Sequence, residues 1–65
     1  MGAKYGRDLH VILRKHNCTF VRDGKGDHEI WYSPITNRIV VVDFGTRSRH
    51  TANKALKEAG INHKF

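Results

Sequence analysis

The chain of 65 residues has a single cysteine, a single proline and only six acidic residues. One cysteine, Cys18, excludes an internal disulfide and any zinc site built on several thiolates. It follows the predicted end of the first helix, where the helix dipole disfavours a thiolate, so we interpret it as a core residue. The sequence also has no long apolar run and no signal-peptide core. We therefore expect a cytoplasmic protein that does not associate with membranes.

Positive charge is what the chain has in excess. The chain has twelve lysines and arginines but only six acidic residues, which gives a net charge of +6 and an isoelectric point near 10.0. Such a balance favours polyanionic partners, with nucleic acid first among them. The length suits one domain over residues 1–65. The five histidines, at positions 10, 16, 28, 50 and 63, lack the paired spacing of metal ligands, so we expect no metal site.

Apolar residues recur at helical spacing near both ends of the chain. A first set predicts a helix over about residues 4–16 and comprises Tyr5, Leu9, Ile12 and Leu13. A second set predicts a second helix and comprises Ala52, Ala55, Leu56 and Ala59. Ser48 is a suitable N-cap for that helix, and Gly60 followed by Ile61 predicts a Schellman ending. Residues 62–65 have the composition of a tail.

Three segments between the helices have the composition of β-strands. They are residues 19–22, residues 28–32 and residues 38–43, separated by turns at residues 24–26 and 33–37. The third segment is an almost unbroken apolar run, which indicates a central strand or one covered on both faces. The predicted order is α-β-β-β-α, an α+β domain.

One short run combines flexible backbone, positive charge and a titratable ring. Gly24 and Gly26 allow the backbone to turn sharply and approach a ligand, and Lys25 between them adds a cation. His28 follows where the loop enters a strand, and a histidine can accept or donate a proton near neutral pH. Taken alone, this residue is more readily interpreted as a strand-end histidine bonded to the backbone.

This run is also where a family resemblance begins. Residues 24–32, Gly-Lys-Gly-Asp-His-Glu-Ile-Trp-Tyr, resemble the glycine–histidine signature of HicA-type toxins. Asn37-Arg38 resembles the hairpin closure of that family, residues 56–61 its C-terminal helix end, and residues 48–53 the start of its second helix. The resemblance implies a small double-stranded-RNA-binding-like fold, with an antiparallel three-stranded sheet and two helices on one face.

The resemblance further implies the toxin component of a type II toxin–antitoxin system. Such a toxin is a metal-independent endoribonuclease that cleaves mRNA and inhibits translation, needs no cofactor, and is bound by a cognate HicB-like antitoxin. His28 would be the catalytic residue, within a motif that includes Gly24, Gly26 and Asp27. Many members have serine where this chain has Asp27, so the role of that hydroxyl is not carried over. Whether His28 acts as base or acid is left open.

Six basic residues are candidates for contact with single-stranded RNA or mRNA. They are Lys25, Arg22, Arg47, Arg49, Lys54 and Lys57. The last two lie with His50 on the polar face of the second helix, and a merely solvated face is the alternative for them. A non-catalytic RNA- or DNA-binding module of the same fold, or a small interaction domain with an acidic partner, fits the same composition.

Overall fold

A computed structural model describes residues 4–65 of the chain. Its elements are α1 (Gly6–Lys15), β1 (Thr19–Asp23), β2 (His28–Ser33), β3 (Arg38–Asp43) and α2 (Arg49–Glu58). This confirms the predicted α-β-β-β-α order, with a first helix slightly shorter than expected. The first three residues of the predicted domain lie outside the described part. Neither helix in residues 4–65 is long and apolar enough to cross a membrane.

Each helix is followed, two residues after its end, by a residue in the left-handed region. Asn17 has φ 64° after α1, and the N–H of Cys18 donates to the carbonyl of Leu13 at 2.9 Å. Gly60 has φ 78° after α2, and the N–H of Ile61 donates to the carbonyl of Leu56 at 2.9 Å. These bonds satisfy carbonyls that the last helical turn leaves unpaired. The predicted Schellman ending of the second helix is confirmed.

The N-cap of α2 is also as predicted. The Oγ of Ser48 accepts a hydrogen bond from the N–H of Thr51 at 3.2 Å, which satisfies one of the free donors of the first turn.

The residues of the predicted tail are more ordered than expected. Phe65 packs its ring 4.8 Å from that of Tyr5, and its N–H donates to Oδ1 of Asn53 at 2.8 Å. The interpretation of residues 62–65 as a tail is wrong at Phe65, because the end of the chain folds back onto both helices.

The three strands form an antiparallel sheet in the order β1-β2-β3. Both helices contribute to one core against one face of this sheet, and Cys18 is buried in it, as predicted. The buried core comprises Leu9, Leu13, Cys18, Trp31, Val40, Val42, Ala52, Ala55, Leu56, Ala59 and Ile61. The opposite face of the sheet is covered by no other element among residues 4–65.

The expectation for the third strand is wrong. β2 is the central strand and β3 lies at the edge of the sheet. Val40 and Val42 point into the core, whereas Ile39 and Val41 are 63% and 53% exposed. An apolar run indicates that each of its residues favours extended backbone. A sheet that packs against helices on one side, however, buries only every second side chain of a strand. The apolar residues of β3 therefore leave an open hydrophobic surface.

Candidate active site

The loop between β1 and β2 holds His28 in place through its backbone. The N–H of Gly24 donates to the carbonyl of His28 at 2.8 Å, and the N–H of His28 donates to the carbonyl of Lys25 at 3.1 Å. Gly26 has φ 64°, a conformation that favours glycine. A Cβ on Gly24 would lie 3.2 Å from Cβ of His28. Gly26 therefore suits the left-handed position of the turn, and a side chain at Gly24 would crowd His28.

The imidazole of His28 has a defined orientation. Its Nδ1–H donates to the carbonyl oxygen of Lys25 at 2.9 Å. Because a carbonyl can only accept, the proton of the neutral ring resides on Nδ1, and Nε2 carries a lone pair. The side chain is exposed to solvent. The site therefore presents an accessible nitrogen that can accept a proton.

Strand register brings one predicted cation close to this ring. His28 is paired with Asp43 on β3, and Ile30, two residues along β2, is paired with Arg22 on β1. Side chains two residues apart share a face of the sheet and are separated by about 7 Å along the strand. Arg22 therefore lies in the row next to His28 on the open face. Lys25 is in the adjoining turn, and its carbonyl accepts the hydrogen bond from the ring of His28.

The carboxylate of Asp27 lies against the loop that follows β3. The N–H of Phe44 donates to the carbonyl of Asp27 at 3.0 Å, and a Cβ added to Gly45 would overlap with Oδ2 of Asp27. These contacts tie the residue before His28 to the segment leading into α2. A cleft of about 210 Å³ lies here and is lined by Lys4, Asp27, His28, Glu29, Phe44 and Gly45 among others.

The other predicted cations lie along α2. Arg47 and Arg49 are exposed at its start. The loop that contains Phe44 connects this start of α2 to the end of the sheet where His28 lies. Lys54 and Lys57 line a groove of about 640 Å³ together with His50, His63 and Lys64. The nine residues from Arg49 to Lys57 span about 12 Å of helix. Two of the predicted cations, Arg22 and Lys25, thus lie on β1 and in the turn before β2, and two others, Lys54 and Lys57, lie in the groove.

A polar cluster that we did not predict lies beneath the sheet next to this site. Oε1 of Glu29 accepts hydrogen bonds from Nε2–H of His10 at 3.1 Å and from Nε1–H of Trp31 at 3.0 Å. The ring of Phe44 lies 3.9 Å from that of His10. Glu29 and Trp31 share a strand face, which the sequence does indicate. The contact with His10 crosses 19 residues of sequence and depends on how α1 packs.

The environment of Glu29 makes stability depend on pH. Burial tends to raise the pKa of this carboxyl. The hydrogen bonds from His10 and Trp31, together with positive charge at His10 and Arg14, have the opposite effect and outweigh burial. The pKa of Glu29 therefore lies below its ordinary value of 4.5. Because the pKa of Glu29 is lower in the folded state than in the unfolded state, ionised Glu29 stabilises the fold at pH values above its ordinary pKa. This contribution is lost as the pH falls through the lowered pKa of the folded state.

We therefore expect Glu29→Gln to be less stable than the wild type at pH 7, with a difference that shrinks as pH falls below 4.5. Urea unfolding between pH 7 and pH 3 measures this difference. Glu58→Gln, at an exposed position on α2, is the control and should follow the wild-type pH dependence. A stability difference for Glu29→Gln that stays constant over this range would contradict the assignment.

Metal-ligating residues do not gather at this site. Within residues 4–65, no three or more His, Cys, Asp and Glu side chains are grouped so that they could hold a metal ion. The groups that the described site does offer to a substrate are an imidazole, nearby cations and backbone donors and acceptors.

Comparison with known proteins gives one family. The family model described as the HicA toxin of bacterial toxin–antitoxin systems matches residues 6–61. No curated protein and no solved structure matches the chain at a significant level. The matched residues extend from the start of α1 to the residue after Gly60, and they include the whole sheet and His28. The chain belongs to the HicA toxin family of bacterial toxin–antitoxin systems, which implies a cognate antitoxin as its partner.

Proposed function

We propose that this toxin is a metal-independent endoribonuclease that cleaves mRNA in the cytoplasm, with His28 as its catalytic residue. The observation that carries this proposal is the hydrogen bond from Nδ1–H of His28 to the carbonyl of Lys25. It leaves Nε2 of an exposed ring available for proton transfer, at the position that resembles the family's signature histidine. Membership of a toxin family supports an activity that stops growth, and cleavage of mRNA would inhibit translation.

The reaction that suits this site is internal transesterification of RNA. The 2′-oxygen attacks the adjacent phosphorus while its proton passes to Nε2 of His28. The bond from phosphorus to the 5′-oxygen then breaks, and the departing oxygen takes a proton from the imidazolium or from water. The products are a 2′,3′-cyclic phosphate and a 5′-hydroxyl. In this scheme His28 acts first as a base.

Positive charge near His28 supports the same proposal. Negative charge accumulates on the phosphoryl oxygens as the phosphorane forms, and preorganised cations stabilise it. Arg22 occupies the neighbouring row of the open face, and Lys25 lies in the turn that orients the ring. We assign both residues to the reacting phosphate. Gly24 and Gly26 shape this turn, and Asp27 anchors it to the loop after β3.

The basic residues of α2 would hold the rest of the RNA strand. Arg49 and His50 occupy the first turn of α2, where the helix dipole disfavours cations. A bound phosphate would offset that cost. Arg47 extends this group, and the groove containing Lys54 and Lys57 continues it along the helix.

The purified protein tests this function directly. Incubated with an mRNA fragment in excess EDTA, it should cut the RNA and leave 2′,3′-cyclic phosphate ends, and it should leave DNA of the same sequence intact. Binding of RNA without any cleavage would support the non-catalytic nucleic-acid-binding module instead. Cleavage that stops in EDTA and returns with a divalent metal would contradict the proposed mechanism.

Neutralising the groove tests its contribution to RNA binding. We expect Lys54→Gln/Lys57→Gln to weaken RNA binding and to flatten its salt dependence by about 0.7 for each phosphate that is no longer neutralised, about 1.4 for the pair. Affinity measured between about 50 and about 200 mM salt, a range over which phosphate contacts have large effects, reports this slope. Arg7→Gln/Lys15→Gln on α1 removes the same charge and is the control. Equal effects of the two double variants would mean that net charge alone matters.

A further inference from the structure

Tyr32 is an aromatic residue on the open face of the sheet, the face on which neither helix packs. It is paired with Thr19 on β1 and with Ile39 on β3, and its neighbour Trp31 points the other way into the core. His28 lies four residues earlier on β2 and therefore on the same face, about 13 Å away along the strand. The open face thus carries an aromatic ring that a polymer bound at His28 can contact.

The ring of Tyr32 is oriented by its hydroxyl. The O–H donates a hydrogen bond to Oδ1 of Asn37, and Asn37 lies in the turn before β3 with φ 57°. Tyr32 is partly buried, and the side chain of Ile39 beside it is exposed. A ring that is already oriented loses little conformational freedom when a ligand binds. Tyr32 therefore offers a preorganised plane rather than a mobile side chain.

The charges of this face favour a phosphate chain between His28 and Tyr32. Arg22 is exposed and is paired with Ile30, which lies midway between the two rings on β2. Asp43, the carboxylate of this face, is paired with His28 at the end away from Tyr32, and its Oδ1 accepts a backbone N–H of the loop that follows β3. The row between the histidine and the tyrosine therefore carries a positive charge and no carboxylate.

We propose that Tyr32 is a stacking platform for an unpaired base of the RNA, a short distance along the strand from the bond that is cut at His28. The choice of RNA as the ligand rests on the function proposed above and on the continuity of this face with His28 and Arg22. Bases of single strands stack on aromatic side chains, and every base has a face that can do so. The platform therefore favours single-stranded over double-stranded RNA and does not by itself select a sequence.

Binding of RNA to the full chain carrying His28→Gln tests the platform apart from cleavage. In this background, Tyr32→Leu should weaken binding of a single-stranded RNA by about 5-fold or more, the loss expected when one stacked base is released. The salt dependence of binding should not change, because no phosphate contact is lost. Tyr32→Phe keeps the plane and should retain most of the affinity. Phe20→Leu is the matched control, since Phe20 is 48% exposed and is paired with Trp31 on the opposite face of the sheet.

Substrates that lack a single base locate the contact. An abasic residue at the stacked position should weaken binding to the His28→Gln protein, and adding Tyr32→Leu should then cause no further loss with that RNA. Abasic residues at other positions should leave the effect of Tyr32→Leu in place. Double-stranded RNA should bind equally well with and without Tyr32→Leu.

Thermal unfolding establishes that each variant is folded. Unchanged affinity for single-stranded RNA in folded Tyr32→Leu would overturn the platform, even if the wild type cleaves RNA through His28. Weakened binding in Tyr32→Leu, with no cleavage by the wild type, would refute the catalytic function and keep the platform. Equal losses in Tyr32→Leu and Phe20→Leu would indicate a general effect and overturn it. Intact RNA binding with weakened binding of the antitoxin or of a second copy would assign the face to a protein partner instead.

Discussion

Replacing His28 with glutamine is expected to lower the rate of RNA cleavage by about 10²- to 10⁴-fold, the usual contribution of general acid–base catalysis. Glutamine is polar and of similar size but cannot exchange protons near neutral pH. RNA affinity should remain close to that of the wild type, since it depends mainly on lysines and arginines. Single-turnover cleavage and RNA binding, measured on the same preparation, separate the two effects.

His16 provides a closely matched control. Its ring also donates through Nδ1–H to a main-chain carbonyl, that of Ile12, at 2.8 Å, but it lies at the end of α1 rather than at the start of β2. His16→Gln should therefore retain wild-type cleavage. Full activity of a folded His28→Gln variant would refute the catalytic assignment, and equal losses in both variants would indicate a general effect on stability.

A single 2′-deoxy substitution in the substrate should block cutting at that position. The proposed step uses the 2′-oxygen on the 5′ side of the scissile phosphate as its nucleophile, already held beside the phosphorus. Without it, His28 has no proton to remove. We expect cleavage at that bond to fall to background while other sites in the same RNA are still cut. Sequencing gels of matched ribo- and deoxy-substituted oligonucleotides measure this.

The same substrates identify the nucleophile if the proposal is wrong. A 2′-O-methyl group at that position should also block cleavage, whereas deoxy substitution one residue towards the 3′ end should leave it unchanged. Cutting that persists at the deoxy position would mean that water attacks the phosphorus. In that case His28 would have to activate water, and the products would carry no cyclic phosphate.

Much of the fold follows from local patterns in the sequence. Asn17 and Gly60 end the helices because each takes a left-handed conformation there, and Asn37, with φ 57°, closes the hairpin before β3. Ser48 caps α2 by bonding to a residue three positions along the chain. These features depend on the backbone within a few residues, so the sequence is enough to place them. The choice of His28 as the candidate catalyst also follows from a short motif and its resemblance to a family.

Contacts between distant elements required the structure. The bond between His10 and Glu29, the packing of Asp27 against Gly45 and the return of Phe65 to Tyr5 each depend on where a helix or loop lies against the sheet. None leaves a periodic signal, because the residues involved are far apart in sequence. The tautomer of His28 likewise depends on the geometry of the turn at Lys25.

The position of β3 illustrates the difference most clearly. By itself, the sequence determined that residues 38–43 form a strand, since β-branched side chains favour extended backbone at each position. Only the tertiary structure decided that this strand lies at an edge with Ile39 and Val41 exposed. The physical reason is that strand propensity is a local property, whereas burial depends on what packs against each face. Two short helices on one side cover only one face of the sheet.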